Sequence, residues 1–177
     1  PDKKHSLTLV ARRLNKLLGR HVFFVQDCVG PEVEMAAREL QSGQVLMLEN
    51  LRFHGQEEAN DDAFAKALAG LADIFVQDAF GVVHRAHAST EAITKFLPSV
   101  AGLLLANEVN TITNVMAKPQ RPLMAIIGGA KISDKLAVLK HFIDEADFVA
   151  VGGAMASTFL LAEGIDVGKS LVEKDEI

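Results

Sequence analysis

The sequence has a single cysteine, no long apolar run and no excess of positive charge. Cys28 alone cannot form an internal disulfide or anchor a cluster of cysteine metal ligands, which is typical of proteins from a reducing cytosol. The longest apolar stretches, 99–106 and 122–130, are about half of the ~18 residues that a membrane-spanning helix requires. A net charge of -5 argues against nucleic acid, which selects basic surfaces. We therefore expect a cytoplasmic protein with no membrane or nucleic-acid partner.

The composition is that of a folded chain, with 49% hydrophobic and 23% charged residues among 177. Disordered proteins combine low hydrophobicity with high net charge, so that class is excluded. A chain of this length buries roughly 70% of its unfolded surface, which allows one or two domains with a sizeable core. The chain starts at Pro1 and stops at Ile177 without a recognisable terminator, so we expect both ends to be cut from a longer protein.

Short apolar runs alternate with helical patterns along the chain. Each run is nearly continuous in apolar residues, which predicts strands buried on both faces of a sheet. Helices are expected to begin after Ser6, at Pro31 and after the cap cluster 60–62, and Gly19 and Gly43 are expected to end the first two. This repetition predicts the α/β class, with parallel, Rossmann-like sheets covered by helices. The candidate strands are residues 21–25, 44–49, 73–78, 122–128 and 147–151.

Residues 101–118 carry a helical pattern with one apolar stripe. Leu105, Val109, Ile112 and Met116 recur along it at spacings of 4, 3 and 4, and the prolines at 119 and 122 end it. A helix followed by a proline-bounded connection and a new strand is typical of a domain boundary. A further helix within a single domain would give the same pattern.

Ligands of open parallel sheets bind in the loops that follow the carboxyl ends of the strands. The first such loop with unusual residues is 49–55, and it carries Arg52. A guanidinium presents a planar fork of donors that suits a phosphate or a carboxylate. The alternative is a surface arginine that pairs with Glu57 or Glu58.

A second loop, 78–90, brings two imidazoles and a guanidinium together at another strand end. His84, Arg85 and His87 lie within four residues of an otherwise acidic protein, so they form a local cationic spot that favours anions. Metal binding is disfavoured, because no carboxylate stands at ligand spacing and no cysteine is near. The alternative is that the histidines cap or fill the start of a helix.

Two glycine turns lead from strands into helices in the last third of the chain. In the first, 128–135, glycines would let backbone N–H groups approach a phosphate, and Lys131 and Lys135 would add positive charge. The spacing matches neither a Walker loop nor a dinucleotide fingerprint. In the second, 152–156, small residues could receive a flat ring. Tight packing of strand against helix is the alternative for both.

These loops belong to five sequence blocks that occur in the order found in phosphoglycerate kinases. The blocks are 49–54, 78–89, 128–135, 152–159 and 168–171. The chain resembles that family along its whole length. The resemblance implies reversible phosphoryl transfer between 1,3-bisphosphoglycerate and Mg-ADP, which gives 3-phosphoglycerate and ATP in glycolysis. It also implies that domain closure gates the reaction.

The resemblance assigns roles to particular residues. Arg52 and Arg85 match two arginines of the basic patch that holds the glycerate substrate. Lys135 matches a lysine that swings toward the transferring group, so we assign it as catalytic. Ala154 stands where the family more usually has a third glycine. No metal ligand is assigned, and the implied nucleotide-binding residues are Gly129, Ala130, Lys131, Gly153 and Ala154.

The resemblance is to an internal piece of the family pattern. A substrate domain over 1–100, an interdomain helix over 101–119 and the start of a nucleotide-binding domain over 120–177 are implied, with both lobes incomplete. The implied cofactor is Mg²⁺ with ATP or ADP, whose main Mg-nucleotide loop would follow Ile177. We expect the parent to be a monomeric enzyme and the segment to be inactive. The alternatives are a non-catalytic anion-binding piece and an inert fragment that self-associates.

Overall fold

The computed structural model describes residues 3–177, apart from the side chains of Lys3, Asp134 and Glu176. The chain divides into two compact units, Pro1–Thr111 and Ile112–Ile177. The strands are β1 (Val22–Phe24), β2 (Val45–Met47), β3 (Phe75–Gln77), β4 (Ser99–Ala101), β5 (Met124–Gly128) and β6 (Phe148–Gly152). The helices are α1 (Thr8–Leu18), α2 (Pro31–Arg38), α3 (Gly55–Glu58), α4 (Asp62–Ala69), α5 (Leu103–Ala117), α6 (Leu136–Glu145) and α7 (Gly153–Ala162).

The first unit contains two parallel strand pairs. β1 pairs with β2 in the register Val22–Val45, and β3 pairs with β4 in the register Phe75–Ser99. Parallel neighbours require a crossover connection, and α2 lies in the one between β1 and β2. The core of this unit is built from apolar residues of α4, of the segment that follows β1 and of residues 88–93: Cys28, Phe64, Ala65, Leu68, Ala69, Ala88, Ala92 and Ile93.

Helix ends in the first unit follow most of the sequence signals. Gly19 ends α1 in the left-handed region at φ 62°, and Pro31 occupies the first turn of α2. The Asp61 side chain accepts the Phe64 N–H at 2.7 Å and so caps α4. Two predictions were wrong. The N-cap of α1 is Leu7, although Ser6 Oγ accepts the Thr8 N–H at 3.3 Å, and α2 ends at Arg38, well before Gly43.

The second unit is a strand–helix–strand repeat followed by α7. β5 and β6 pair in parallel over five residues, from Met124–Phe148 to Gly128–Gly152, with α6 as the crossover. Ile127, Ile132, Leu139 and Met155 form the core between this pair and the helices α6 and α7. The α/β class predicted from the sequence is confirmed.

The expectation of strands buried on both faces was wrong for this chain. Along β5, Ala125 and Ile127 are buried, whereas Ile126 between them is 77% exposed. The reason is that Leu139 of α6 and Met155 of α7 both pack with Ile127, on one face of the pair. In the first unit Val76 and Val100, on the central positions of β3 and β4, are also exposed.

The strand β4 was absent from the sequence prediction, which placed residues 99–106 among the apolar stretches. It is short and ends at Ala101, and the N–H of the next residue, Gly102, donates to the Gln77 carbonyl at 2.8 Å. A Cβ at this glycine would collide with the Asp78 side chain, so any other residue there would force Asp78 to move. Asp78 Oδ1 in turn accepts the Leu105 N–H at 3.0 Å and satisfies a donor in the first turn of α5.

The expected long helix is α5, and the division between the two units falls inside it. The predicted roles of the segments on either side of it stay predictions. Among the helices in residues 3–177, none has both the length and the apolar character that crossing a membrane requires.

A buried carboxylate ties the start of the described chain to the end of β2. Glu49 is 6% exposed and accepts hydrogen bonds from the Leu7 N–H at 2.7 Å and from Ser6 Oγ at 2.6 Å. The Asn50 N–H donates to the same carboxylate at 2.8 Å. Burial alone would raise the pKa of Glu49, but these donors outweigh it and hold the pKa below its ordinary 4.5.

The stability of the first unit should therefore fall in acid. A carboxyl whose pKa is lowered by folding contributes stability that is present above the unfolded value of 4.5 and is lost as the pH falls through the lower folded value. Urea unfolding from neutral pH to below that range measures the loss. Glu49→Gln should be less stable at neutral pH and show a smaller further loss in acid. Glu39→Gln, at an exposed position, is the control, and an acid profile unchanged by Glu49→Gln would contradict the assignment.

Candidate functional sites in the two units

The loop that follows β2 fixes Arg52 in a 3₁₀ turn, Leu51–Phe53. The Asn50 side chain accepts the Arg52 N–H at 3.0 Å and so starts the turn. The Arg52 side chain is 41% exposed, and its Nη1 donates to Glu58 Oε1 at 2.7 Å. The pairing with Glu58 is the alternative that the sequence left open. A half-exposed ion pair of this kind contributes less than about 1 kcal/mol, so an anionic ligand can replace the glutamate.

The loop that follows β3 meets the Arg52 loop through His87. Arg52 Nη2 donates to His87 Nδ1 at 3.2 Å, and the His87 N–H donates to the Arg85 carbonyl at 3.1 Å. Thr90 Oγ1 donates to the same carbonyl at 2.6 Å. His87 is buried, whereas His84 and Arg85 are exposed at the turn. The Arg85 backbone is therefore connected to the Arg52 guanidinium through a single residue, His87.

The contact between the two loops at His87, here called the His87 junction, is supported by Glu57. It is 3% exposed, and its carboxylate accepts the Ser89 N–H at 3.0 Å and Ser89 Oγ at 2.6 Å. Its own carbonyl accepts the Ala88 N–H at 2.9 Å, and Oε1 lies 3.9 Å from His87 Nδ1. The sequence offered Glu57 only as an equal alternative to Glu58. Nothing in the pair of adjacent glutamates shows which one is buried.

In the second unit the two predicted glycine turns touch. The Met155 N–H donates to the Gly129 carbonyl at 3.0 Å. Gly153 has φ +67°, and a Cβ there would lie 3.4 Å from the same carbonyl oxygen. A Cβ on Gly129 would lie 3.2 Å from Lys135 Cε, so the lysine stem passes directly over that glycine. Gly129, Gly153 and Lys135 are thus brought together, with Ala130 and Lys131 on the exposed side of the first turn.

The backbone donors of this turn already have a partner that the sequence did not reveal. Glu173 Oε2 accepts the N–H groups of Ile132 at 2.6 Å and Ser133 at 3.2 Å, and Ser133 Oγ donates to Oε1 at 2.6 Å. The Ser133 hydroxyl is the largest cause that lowers the pKa of Glu173. The anionic group bound at these two N–H groups is a side chain of the chain itself, and the predicted phosphate-binding role of the turn stays a prediction.

The adjacent glutamates of α3 allow a matched test of the junction. Glu57→Ala leaves the Ser89 donors without a partner in a buried site and should lower the free energy of unfolding by about 2–4 kcal/mol. Glu58→Ala removes an exposed partner of Arg52 and should change it by less than about 1 kcal/mol. Urea unfolding followed by far-UV circular dichroism compares them. Equal losses for the two variants would show that Glu57 has no anchoring role.

Comparison with known proteins relates the chain to one family. The model of the phosphoglycerate kinase family matches residues 1–177. A phosphoglycerate kinase of Moorella thermoacetica is 56% identical over 168 residues, which are 95% of this chain and 43% of the relative. One of Pelotomaculum thermopropionicum is 51% identical over 176 residues, which are 99% of this chain and 45% of the relative.

Comparison with solved structures gives the same family. Phosphoglycerate kinase of Coxiella burnetii has a TM-score of 0.76 at 39% identity, over 99% of this chain and 43% of that one. The enzyme of Pyrococcus horikoshii has a TM-score of 0.84 at 32% identity, over 92% and 42%. The chain therefore spans less than half of the length of these relatives. It belongs to the phosphoglycerate kinase family.

Proposed function

We propose that the chain provides substrate-binding residues and the opening of the nucleotide site of a phosphoglycerate kinase. The parent enzyme transfers a phosphoryl group reversibly between 1,3-bisphosphoglycerate and ADP, and the products are 3-phosphoglycerate and ATP. Family membership supports the reaction. The observation that carries the substrate role is the His87 junction, which joins the Arg52 and Arg85 loops.

In the first unit, Arg52 and Arg85 bind the phosphate and carboxylate of the glycerate. Arg52 offers a bidentate fork once Glu58 is displaced, and a doubly charged phosphate is a stronger partner than that exposed glutamate. His87 orients Arg52, and Glu57 holds His87 and Ser89 in place. A rigid arrangement of this kind reduces the entropy lost when the ligand binds.

In the second unit, the turn after β5 receives the nucleotide phosphates and the turn after β6 receives the base. Lys131 and the backbone of Gly129 and Ala130 bind the phosphates. The adenine ring lies against the backbone of Gly153 and Ala154. Lys135, whose stem lies over Gly129, supplies positive charge to the phosphoryl group as it transfers. Catalysis of phosphoryl transfer rests on positioning and charge neutralisation, and a lysine point charge provides both.

The residues described in 3–177 do not fit a magnesium site at this turn. Mg²⁺ requires oxygen ligands, whereas the turn presents lysines and N–H donors, and the carboxylate of Glu173 is bonded to Ser133. We therefore assign no Mg²⁺ ligand to this chain.

The cytoplasm remains the predicted location, although one relative, from Volvox carteri, is named a chloroplastic enzyme. A monomeric parent likewise remains a prediction.

Titration with 3-phosphoglycerate tests the substrate role. Arg52→Ala and Arg85→Ala should each weaken binding roughly tenfold or more, because a charge-assisted hydrogen bond contributes about 1.5–3 kcal/mol. Arg38→Ala is the control, since Arg38 is 81% exposed and pairs only with its helix neighbour Glu34 in the structure described. Isothermal calorimetry gives the affinities. Affinities unchanged by both arginine variants would remove the substrate site.

A second candidate is a binding piece that does not catalyse, and the coverage of 43–45% of the relatives' length favours it for the 177 residues alone. The purified segment should show no turnover in an assay that couples 1,3-bisphosphoglycerate formation to NADH oxidation. A full-length relative run in parallel shows that the assay works. Turnover of the segment at a rate comparable to that relative would refute the candidate.

A further inference from the structure

Three side chains with metal-binding atoms converge in the first unit, outside the proposed substrate residues. Asp27 and Cys28 follow β1, and His54 follows the 3₁₀ turn that carries Arg52. One carboxylate oxygen of Asp27, Sγ of Cys28 and a ring nitrogen of His54 all lie within 4.8 Å of one another. From this geometry we propose that Asp27, Cys28 and His54 form a binding site for a thiophilic divalent cation of the Zn²⁺ type.

The donor set selects this class of ion. A thiolate, an imidazole and a carboxylate together are ligands of Zn²⁺ and of its softer relative Cd²⁺, whereas Mg²⁺ and Ca²⁺ take oxygen ligands alone. Tetrahedral zinc places its ligand atoms roughly 3.4 Å apart, given metal–ligand bonds of about 2.0–2.3 Å. In the structure His54 Nε2 lies 2.7 Å from Asp27 Oδ1, and the three ligand atoms all lie within 4.8 Å of one another.

The surroundings hold two of the three ligands in place. Cys28 is fully buried in the core cluster, and its N–H donates to Asp27 Oδ1 at 2.7 Å. The His54 ring packs on Phe64 at a centroid distance of 5.3 Å, which fixes the direction of Nε2. Metal sites require this kind of support, because ligands that are free to rotate lose entropy on binding.

An entry path and room for a fourth ligand lie on the open side. A cavity of about 240 Å³ is lined by Asp27 and His54 together with Gln26, Glu49, Asn50 and Phe53. A water from this cavity would fill the fourth position of a tetrahedral ion. Asp27 is 52% exposed and His54 28% exposed, so an ion reaches both from solvent.

Binding exchanges protons for the ion. Burial is the largest cause that raises the pKa of Cys28 to about 12, and the Asp27 charge adds to it, so the thiol carries its proton at neutral pH. As the sulfur–metal bond forms, the S–H bond breaks and that proton passes to solvent. His54 coordinates through Nε2 as a neutral imidazole, so its single ring proton then lies on Nδ1 and the hydrogen bond between Nε2 and Asp27 Oδ1 is lost. Neutral Cys28 thus becomes a thiolate, and its negative charge is offset by the cation.

The composition allows metal binding at the site to be followed by ultraviolet absorption. Cys28 is the single cysteine and the chain has no Trp or Tyr, so a thiolate-to-cadmium charge-transfer band in the ultraviolet can arise only at Cys28 and has little background. Titration of the 177-residue chain with Cd²⁺ alone should give such a band, saturating at one equivalent, and Zn²⁺ should then compete it away. No band at one equivalent would overturn the proposal.

Substitutions that keep the thiol separate a built site from simple capture of a cysteine. Asp27→Asn and His54→Gln should each weaken Cd²⁺ binding roughly tenfold or more, since even outer partners of metal ligands contribute 10–100-fold. His21→Gln, at an exposed histidine, and Arg52→Ala should leave the band and the affinity unchanged. Circular dichroism confirms that each variant is folded. Equal affinities for the chain, Asp27→Asn and His54→Gln would mean thiol capture only and overturn the site, whatever the result with 3-phosphoglycerate.

Discussion

The first unit depends on one buried carboxylate, which accepts hydrogen bonds from a neighbouring loop. Glu57 is almost completely enclosed, and a carboxylate in that position is tolerable only if hydrogen bonds replace its lost hydration. Ser89 supplies both a hydroxyl and an N–H, and Ala88 donates to the Glu57 backbone. These bonds hold the end of one loop against α3, and His87 then reaches the Arg52 guanidinium. The position of the exposed cationic groups is thus set by a group that carries the opposite charge.

In both units, a glutamate carboxylate accepts backbone N–H groups that would otherwise lack a hydrogen-bond partner. Glu49 accepts a hydrogen bond from an N–H group at the start of α1, and Glu173 accepts hydrogen bonds from N–H groups at the turn before α6. In all three cases the glutamate comes from a distant part of the sequence. An internal carboxylate at a helix start fulfils the electrostatic requirement that an external phosphate would fulfil.

The sequence predicted what local patterns encode and missed what depends on distant partners. The five predicted strands and the helix ends at Gly19, Pro31 and Asp61 follow from periodicity and backbone preferences. The loops that are proposed to bind ligands could be selected from the sequence because they follow strands. The burial of Glu57, the role of Glu173 and the convergence of Cys28 with His54 could not, because each depends on residues that only the fold brings together. The strand faces were misjudged because apolar content does not show whether a covering helix is present.

The uncovered apolar faces change the balance of stabilising terms. Leu103 is 90% exposed and Ile126 is 77% exposed, so burial of these side chains contributes little, whereas each would contribute about 1.5–3 kcal/mol if enclosed. Domains are stable by only about 5–15 kcal/mol in total. When the hydrophobic term is reduced in this way, buried polar contacts such as those of Glu49 and Glu57 become a larger share of what remains. In the first unit, the groups that orient Arg52, a proposed substrate-binding residue, therefore also contribute to the stability of the fold.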